Sequence, residues 1–192
     1  MRAYKVLVAN TTQLISTADA KLFLKVDVSD DDDVINSIVK AATESAQEYT
    51  NRFFLETTLE QYGTTFNDVR SLLKSPVEEI THVKYYDSTD TQQTLSATVY
   101  QVTPAIEPST LMLKVDQSYP AVADREDAVL VKYKVGYGTA TTDVPFAIIQ
   151  AVYLTIGHWY QNRQEVVVGR IATEIPMGAK YLLDQYKVQV CL

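Results

Sequence analysis

The period of the hydrophobic pattern changes twice along this chain, and this change limits the folds that the chain can adopt. Between residues 34 and 53 apolar side chains recur every three or four positions, which is typical of a helix packed on one side. From about residue 55 to 138 apolar and polar residues alternate, as in "EITHVKYYD" and "DAVLVKYKVGYG", which is typical of half-buried antiparallel strands. Helical signals return from Asp143 onward. The sequence therefore predicts two helical zones on either side of a β-rich middle.

Helix start signals define the first two helices. Ser16 or Thr17 can cap a short helix that runs to about Leu24. The run "SDDDD" from Ser29 repeats this signal, because aspartates are favourable at the positive end of a helix. A long amphipathic helix is expected to follow and to end near Arg52.

The third helix is predicted to begin near Asp143, with Pro145 in its first turn, where a missing amide hydrogen costs nothing. From there to Tyr160 only Gln150, Thr155 and His158 are clearly polar, and they fall within one arc of roughly 140° on a helical wheel. The rest of the helix surface is apolar, and this is more apolar surface than packing against one core requires. The helix is therefore expected to contact two partners, and a second subunit is one candidate.

A fourth, short helix is predicted in "PMGAKYLLDQY", after which the chain ends in "YKVQVCL". These elements predict an α+β fold with a helical, mainly four-helix core and an inserted antiparallel β-rich region. The expected divisions are 1–54 for the N-terminal helical part of the core, 55–142 for the insertion, and 143–192 for the C-terminal helical part and tail.

Composition excludes several classes of function. A length of 192 residues fits one domain, or one compact domain with an insertion. The formal charge of −7 is unfavourable for a DNA-binding module, because affinity for nucleic acid comes mostly from Lys and Arg. The single cysteine, Cys191, excludes an intrachain disulfide and a cysteine cluster for zinc, and it fits synthesis in a reducing cytoplasm. No signal peptide is evident, and the longest apolar run is too short to span a membrane.

Two motifs resemble ligand sites only in part. Gly136 and Gly138 follow a strand and precede a helix, but Thr141 occupies the place of the third glycine of a dinucleotide fingerprint. A turn that closes an antiparallel strand explains these glycines better. The run Asp30–Asp33 lacks the spacing and glycine of a calcium loop, so a solvated helix N-terminus is the favoured interpretation. The same run could instead present negative charge to a basic partner.

Catalytic equipment is sparse. His82 lies in a predicted strand, His158 lies on the polar arc of the third helix, and Cys191 is close to the chain end. No carboxylate stands in an apolar context that would raise its pKa. We therefore expect no enzymatic activity, no cofactor and no metal. The 13 tyrosines suit either interfaces or core packing, and the sequence does not choose between these uses.

Four stretches together resemble the head–tail connector (adaptor, or head-completion) proteins of long-tailed bacteriophages, a family also found in prophages and gene-transfer particles. They are "ISTADAKLFLKVDVSDDDDVINSIVKAATESAQEYTNRFF", "SPVEEITHVKYYD", "YPAVADREDAVLVKYKVGYG" and "VPFAIIQAVYLTIGHWYQNRQEVVVG". The last two are the most specific. The resemblance covers most of the chain and is weakest at residues 55–67 and 87–117.

The resemblance implies a structural role in the virion. Such proteins assemble as a ring, usually of twelve copies, beneath the portal protein, and they extend the DNA channel and provide a platform for stopper or tail-completion proteins. A ring protein of this kind is made in the host cytoplasm and can stay monomeric in solution until a template orders it. An acidic ring would let DNA pass through its lumen without specific binding, and no membrane is involved.

The resemblance and the apolar third helix together suggest two sets of contact residues. For the subunit interface these are Ile149, Val152, Tyr153, Ile156, Trp159, Tyr160 and Arg163. For contact with the portal or tail they are Val166, Val167, Val168, Tyr186, Lys187, Val188, Gln189 and Val190. The alternating C-terminal tail is expected to become ordered by adding a strand to the portal.

Two other functions remain open on the sequence alone. One is a different virion protein, such as a stopper or tail terminator, although the two helical zones argue against the β-barrels usual for those proteins. The other is a small ligand-binding domain or enzyme, which the lack of a convergent polar site disfavours. Contact with the portal would distinguish a connector from another virion protein. Assembly into a high-order ring would distinguish a connector from a ligand-binding domain or enzyme.

Overall fold

The computed structural model describes residues 3–103, 107–162 and 175–189, and the chain divides into two compact units. The first unit comprises Met1–Asn10, Asn51–Thr139 and Val188–Leu192, and the second comprises Thr11–Thr50 and Ala140–Lys187. Among the described residues, the first unit contains the strands and the second contains the α-helices.

The first unit is built on a five-stranded antiparallel sheet with the strand order β1-β2-β7-β3-β4, and a separate hairpin pairs β5 with β6. The strands are β1 Ala3–Val8, β2 Thr57–Gly63, β3 Val77–Tyr86, β4 Gln92–Leu95, β5 Tyr100–Thr103, β6 Thr110–Leu113 and β7 Val129–Val135. The loop between β3 and β4 is the segment "DSTDT", residues 87–91, whose turn residues separate two extended runs.

One face of this sheet carries the core of the first unit. On β7 the alternate residues Val129, Val131, Tyr133 and Val135 are all buried, which gives the period of two expected for a strand with one face inward. Segments outside the sheet cover this face with further buried side chains, namely Phe66, Val69, Leu72, Tyr100 and Leu111. The Phe66 ring stacks on the Tyr119 ring with centroids 4.2 Å apart. The alternation of apolar and polar residues in the sequence therefore corresponds to a buried face of the sheet.

A buried amide ties β2 to the segment that covers the sheet. Gln61 has no exposed surface, and its Nε2 donates to the carbonyl oxygen of Ser71 at 3.0 Å. Its Oε1 accepts from the backbone N–H of Leu73 at 3.0 Å and from the hydroxyl of Tyr133 at 3.2 Å. Buried polar groups of this kind stabilise a fold only when their partners are in place.

The second unit contains the helices α1 Thr17–Leu24, α2 Asp32–Thr50, α3 Phe146–Gln161 and α4 Met177–Asp184. The Ser16 side chain accepts from the backbone N–H of Asp19 at 3.0 Å, which confirms the predicted cap. Helix α2 begins three residues after Ser29 and places Asp32 and Asp33 in its first turn. Pro145 was predicted in the first turn of the third helix, and it is instead the N-cap residue, one position before α3 begins at Phe146.

Small side chains let the helices of this unit pack closely. The buried residues of α2 and α3 include Ala42, Ala46 and Ala151, none of which has more than 1% of its surface exposed. Larger buried side chains fill the remaining space, namely Ile35, Val39, Ile148, Val152, Ile156 and Leu183. This gives the second unit an apolar core of its own.

The prediction of a mainly four-helix core with an inserted β-rich region is wrong. Within the described residues four helices accompany seven strands, so the chain is α+β with more strand than a four-helix core allows. Strand β1 precedes every helix and pairs with β2, so the sheet draws on the chain before the helices as well as after them. The sheet also buries a separate hydrophobic cluster, which makes it a folding unit in its own right.

We expect Gln61→Leu to lower the free energy of unfolding by roughly 2–4 kcal/mol, because it leaves buried backbone groups of Ser71 and Leu73 without a partner. Gln101→Leu is the matched control, since Gln101 is an exposed residue of β5 in the same unit. Urea denaturation of both variants measures the difference. Equal stability of the two variants would contradict the role given to the Gln61 amide.

Candidate assembly surfaces

The residues predicted for a subunit interface lie along α3, and the structure separates them by exposure. Ile149, Tyr153, Trp159 and Tyr160 are partly exposed, whereas Val152 and Ile156 have no exposed surface. Arg163 lies outside the described residues. A side chain without exposed surface cannot touch a neighbour, so Val152 and Ile156 serve the helical core.

An apolar face remains open on α3. Phe146, Ile149 and Tyr153 recur at intervals of three and four residues and share one side of the helix, and the Phe146 side chain is 75% exposed. The Phe23 ring of α1 lies against Tyr153 with centroids 5.0 Å apart, and it is itself partly exposed. We call these four residues the α1–α3 face.

Gly157 explains how α1 approaches α3 at this face. A Cβ atom at Gly157 would lie 3.2 Å from Cε1 of Phe23, which is closer than most real Cβ contacts. The glycine therefore leaves room for the Phe23 ring, and it sits one turn beyond Tyr153 on the same side of the helix.

The C-terminal end of α3 is held within its own unit. The Tyr160 hydroxyl donates to Oδ2 of Asp31 at 2.5 Å, which connects α3 to the start of α2. The indole Nε1 of Trp159 is buried and has no hydrogen-bond partner in the described part of the chain. Thr155 is also buried, although the helical wheel placed it on the polar arc, because its hydroxyl donates to the carbonyl oxygen of Ala151 at 2.9 Å.

The aspartate run acts locally at the N-terminus of α2. Asp32 forms an ion pair with Lys21 at 2.6 Å, and Asp31 accepts from Tyr160. These contacts support the helix N-terminus interpretation over a calcium loop. Among the residues that the structure describes, no three His, Cys, Asp or Glu side chains are grouped in a way that could hold a metal ion.

The start of the predicted tail contact is packed against the fold. The Lys187 ammonium lies over the Tyr49 ring at 4.5 Å, and the Tyr49 hydroxyl donates to the carboxylate of Asp184. This hydrogen bond is the main cause that raises the pKa of Tyr49 to about 12. Tyr186 is half-buried, Val188 is buried and Gln189 is exposed.

Four further residues predicted to contact the portal or tail lie outside the described ranges. They are Val166, Val167, Val168 and Val190. Their contribution stays a prediction.

The two histidines lie on separate elements, β3 and α3. His82 lies on β3, where partial burial, followed by the charges of Lys84 and Lys132, lowers its pKa below the ordinary value. The imidazole of His82 is therefore neutral at pH 7 and has two cations as neighbours. His158 is exposed on α3, and its Nδ1 lies 3.1 Å from Nδ2 of Asn162.

The glycine pair after β7 closes a strand rather than cradling a phosphate. Gly136 has φ +128°, and a Cβ atom there would lie 2.6 Å from the carbonyl carbon of Leu55. The carbonyl oxygen of Gly138 accepts from the backbone N–H of Glu56 at 2.8 Å. The glycines thus allow a close approach of two backbone segments, as the turn interpretation predicted.

A surface depression lies at the loop ends beside β3 and β7. It is lined by Ser88, Asp90, Ala123, Asp124, Arg125 and Asp127. The Arg125 guanidinium donates to Asp90 at 2.8 Å and to Asp127 at 2.6 Å, and it stacks 3.6 Å from the centroid of the Tyr86 ring. The Arg125 side chain, the one cation that lines this depression, is thus paired with two carboxylates and an aromatic ring.

None of the helices in the described part of the chain is both long and apolar enough to cross a membrane.

Comparison with known families identifies the family of this chain. Residues 13–187 match the head completion protein family. The chain belongs to this family. The match spans both helical zones and the strands between them, and it confirms the resemblance stated from the sequence. Head completion proteins are structural components of head–tail assembly in phage-like particles, so the family places this chain among virion proteins.

Three solved structures from gene transfer agent particles share the fold over nearly the whole chain. A chain in the virion of a native particle has a TM-score of 0.78 at 17% identity, covering 98% of this chain and 97% of its own. A chain in the neck of an empty particle, computed with C6 symmetry, has a TM-score of 0.76 at 16% identity over 99% and 97%. A chain in the neck of a native particle, computed with C12 symmetry, has a TM-score of 0.75 at 17% identity over 99% and 97%.

None of the curated protein sequences compared with this chain is significantly similar to it.

Sequence reasoning missed two of the residues that form the α1–α3 face. Phe146 and Phe23 lie within predicted helices, but neither is among the residues predicted for the subunit interface. The signal for Phe146 was its spacing from Ile149 and Tyr153, which a helical wheel shows. Phe23 carried no such signal, because only the packing of α1 on α3 brings it to this face.

Proposed function

We propose that this chain forms a ring of about twelve copies at the head–tail junction of a phage-like particle, beneath the portal protein. Membership of the head completion protein family carries this proposal. The C12 symmetry of one neck structure with the same fold supports the copy number. The ring extends the DNA channel and provides a docking platform for stopper or tail-completion proteins.

The α1–α3 face serves as one side of the contact between neighbouring copies. Exposed aromatic side chains grouped on one surface are typical of protein interfaces. Phe146 and Tyr153 offer such a group on a rigid helix, and Phe23 widens it. A closed ring needs a different surface of the next copy against this face, because neighbours in a ring are related by a rotation rather than by a two-fold axis.

The role of this ring is structural and needs neither a cofactor nor a metal. A net charge of −7 keeps phosphates from being held tightly, so DNA passes through the lumen without specific binding. The protein is made in the host cytoplasm and resides in the virion. The C-terminal tail adds a strand to the portal, and the residues available for this begin after the buried Val188.

We expect native mass spectrometry of the chain mixed with the portal ring encoded near it to show a discrete species with about twelve copies on the portal, the number that the C12 neck suggests. The chain alone serves as the control, and a monomer in that sample is compatible with assembly on a template. A chain that stays monomeric and does not bind the portal in any condition would contradict the connector proposal and favour a different tail-side component.

Phe146→Glu should leave stability within about 0.5 kcal/mol of the wild type, because the side chain is mostly exposed, and should lower ring occupancy on the portal by at least about tenfold. A charge placed in the centre of an apolar contact must be desolvated when the contact forms. Val115→Glu is the matched control at an exposed apolar position of the first unit. Native mass spectrometry and urea denaturation give both readouts, and equal occupancy for the two variants would exclude the α1–α3 face from the contact.

Deleting Val190–Leu192 should spare the fold and abolish portal binding, because the deleted residues lie beyond the buried Val188. A deletion that began at Lys187 would also remove a core residue and the cation over Tyr49, so its effect on binding would be mixed with instability. Cys191→Ser is the control that keeps the length. Portal binding in a pull-down, together with the melting temperature, tests this, and unchanged binding by the truncated chain would refute the tail contact.

A further inference from the structure

Strand β1 is an edge strand, and no other strand of the described part of the chain lies on its outer side. It ends the strand order of the five-stranded sheet, and within the described residues it pairs only with β2. All six of its residues are exposed, including the large apolar side chains of Tyr4, Val6, Leu7 and Val8. The outer row of N–H and C=O groups is therefore open to another strand.

The protection usual for such an edge is slight here. Natural sheets guard their edges with proline, with charged side chains, with bulges or with a covering element. The sequence "AYKVLV" contains no proline and one charged residue, Lys5, and the register shifts once between Val6 and Val8. An apolar edge of this length would promote aggregation in a protein that worked alone, so it is suited to a partner strand in an assembly.

The opposite edge of the same sheet is also open and has the opposite charge. Strand β4 covers β3 only at Val83–Tyr86, so the first part of β3 extends beyond it. Glu78 and Glu79 lie in this uncovered part and are exposed. The sheet thus has one edge whose single charge is positive, at Lys5, and another edge that presents two carboxylates.

We propose that β1 of one copy pairs with the β3–β4 edge of the sheet in the next copy, with Lys5 facing Glu78 or Glu79. This inference rests on the proposed ring. Pairing of β1 with β1 would relate two copies by a two-fold axis and stop at a dimer, whereas pairing of two different edges repeats from copy to copy and closes into a ring. The sheets of neighbouring copies then form a continuous belt, and the occupant of the β1 edge is a second copy.

Hydrogen exchange of the wild-type chain, alone and in the neck isolated from assembled particles, tests this pairing. Among the described strands β1 pairs only with β2, which leaves the alternate amides on its outer side without a strand partner there, so we expect their exchange to slow by at least about tenfold in the assembly. Rings in which β1 exchanges as fast as in the isolated chain would overturn this inference and leave the proposed function standing. Absence of any ring would overturn both.

Variants identify the partner of the edge. Val8→Lys should lower ring occupancy on the portal at least tenfold, while Val28→Lys, at 60% exposure against 62% for Val8, should leave it unchanged. Lys5→Glu should weaken assembly, and adding Glu79→Lys should restore it if the two edges meet. Equal occupancy for Val8→Lys and Val28→Lys, or no rescue by the charge exchange, would count against the pairing.

A cross-link gives an independent readout. Three successive antiparallel pairings make β1 and β3 run in opposite directions, so Lys5 opposite Glu79 places Ala3 opposite Thr81. The chain has one cysteine, so Cys191→Ser leaves a background in which Ala3→Cys and Thr81→Cys are the only thiols. Oxidation of assembled particles should produce a ladder of covalently joined copies. A product that joins this chain to the portal or to a tail protein through Cys at position 3 would assign the edge to that protein and overturn the proposal.

Discussion

The central strand β7 is the element on which the first unit depends. It pairs along its whole length with β2 on one side and with β3 on the other, and its alternate side chains supply the middle of the core. Side chains alternate between the two faces of a strand. A slip of one residue in the pairing of β7 would therefore expose Tyr133 and bury Lys132 and Lys134. The cost of burying those lysines fixes the register. In the described part of the chain, β1 and β4 are the outermost strands of this sheet.

Large apolar side chains remain exposed on α3 and on β1. The polar groups that might have suggested catalysis are already satisfied locally: Arg125 by Asp90 and Asp127, and Asp31 by Tyr160. The apolar groups are not satisfied in the same way, since Phe146 and the side chains of β1 stay exposed. A chain that pairs its charges and leaves its apolar side chains open is suited to bind other proteins, which agrees with its family.

Elements that signal through local chemistry were predictable from the sequence. The cap of α1 at Ser16, the proline before α3 and the loop between β3 and β4 all depend on residues within a few positions of each other. Strand β1 gave no such signal. All six of its residues are exposed, so no buried face imposes an alternating pattern on them, and the strand is defined by its backbone pairing with residues at least 50 positions away.

The same division holds for the candidate contacts. The apolar character of α3 was determined by its sequence, because a helix with so few polar residues must bury most of its surface somewhere. Which residues turn inward was decided only by tertiary packing: Val152 and Ile156 enter the core of the second unit, while Phe146 and Tyr153 remain at the surface beside Phe23. Periodicity gives the faces of a helix, but it does not say which neighbour covers each face. That choice depends on contacts between residues far apart in the chain.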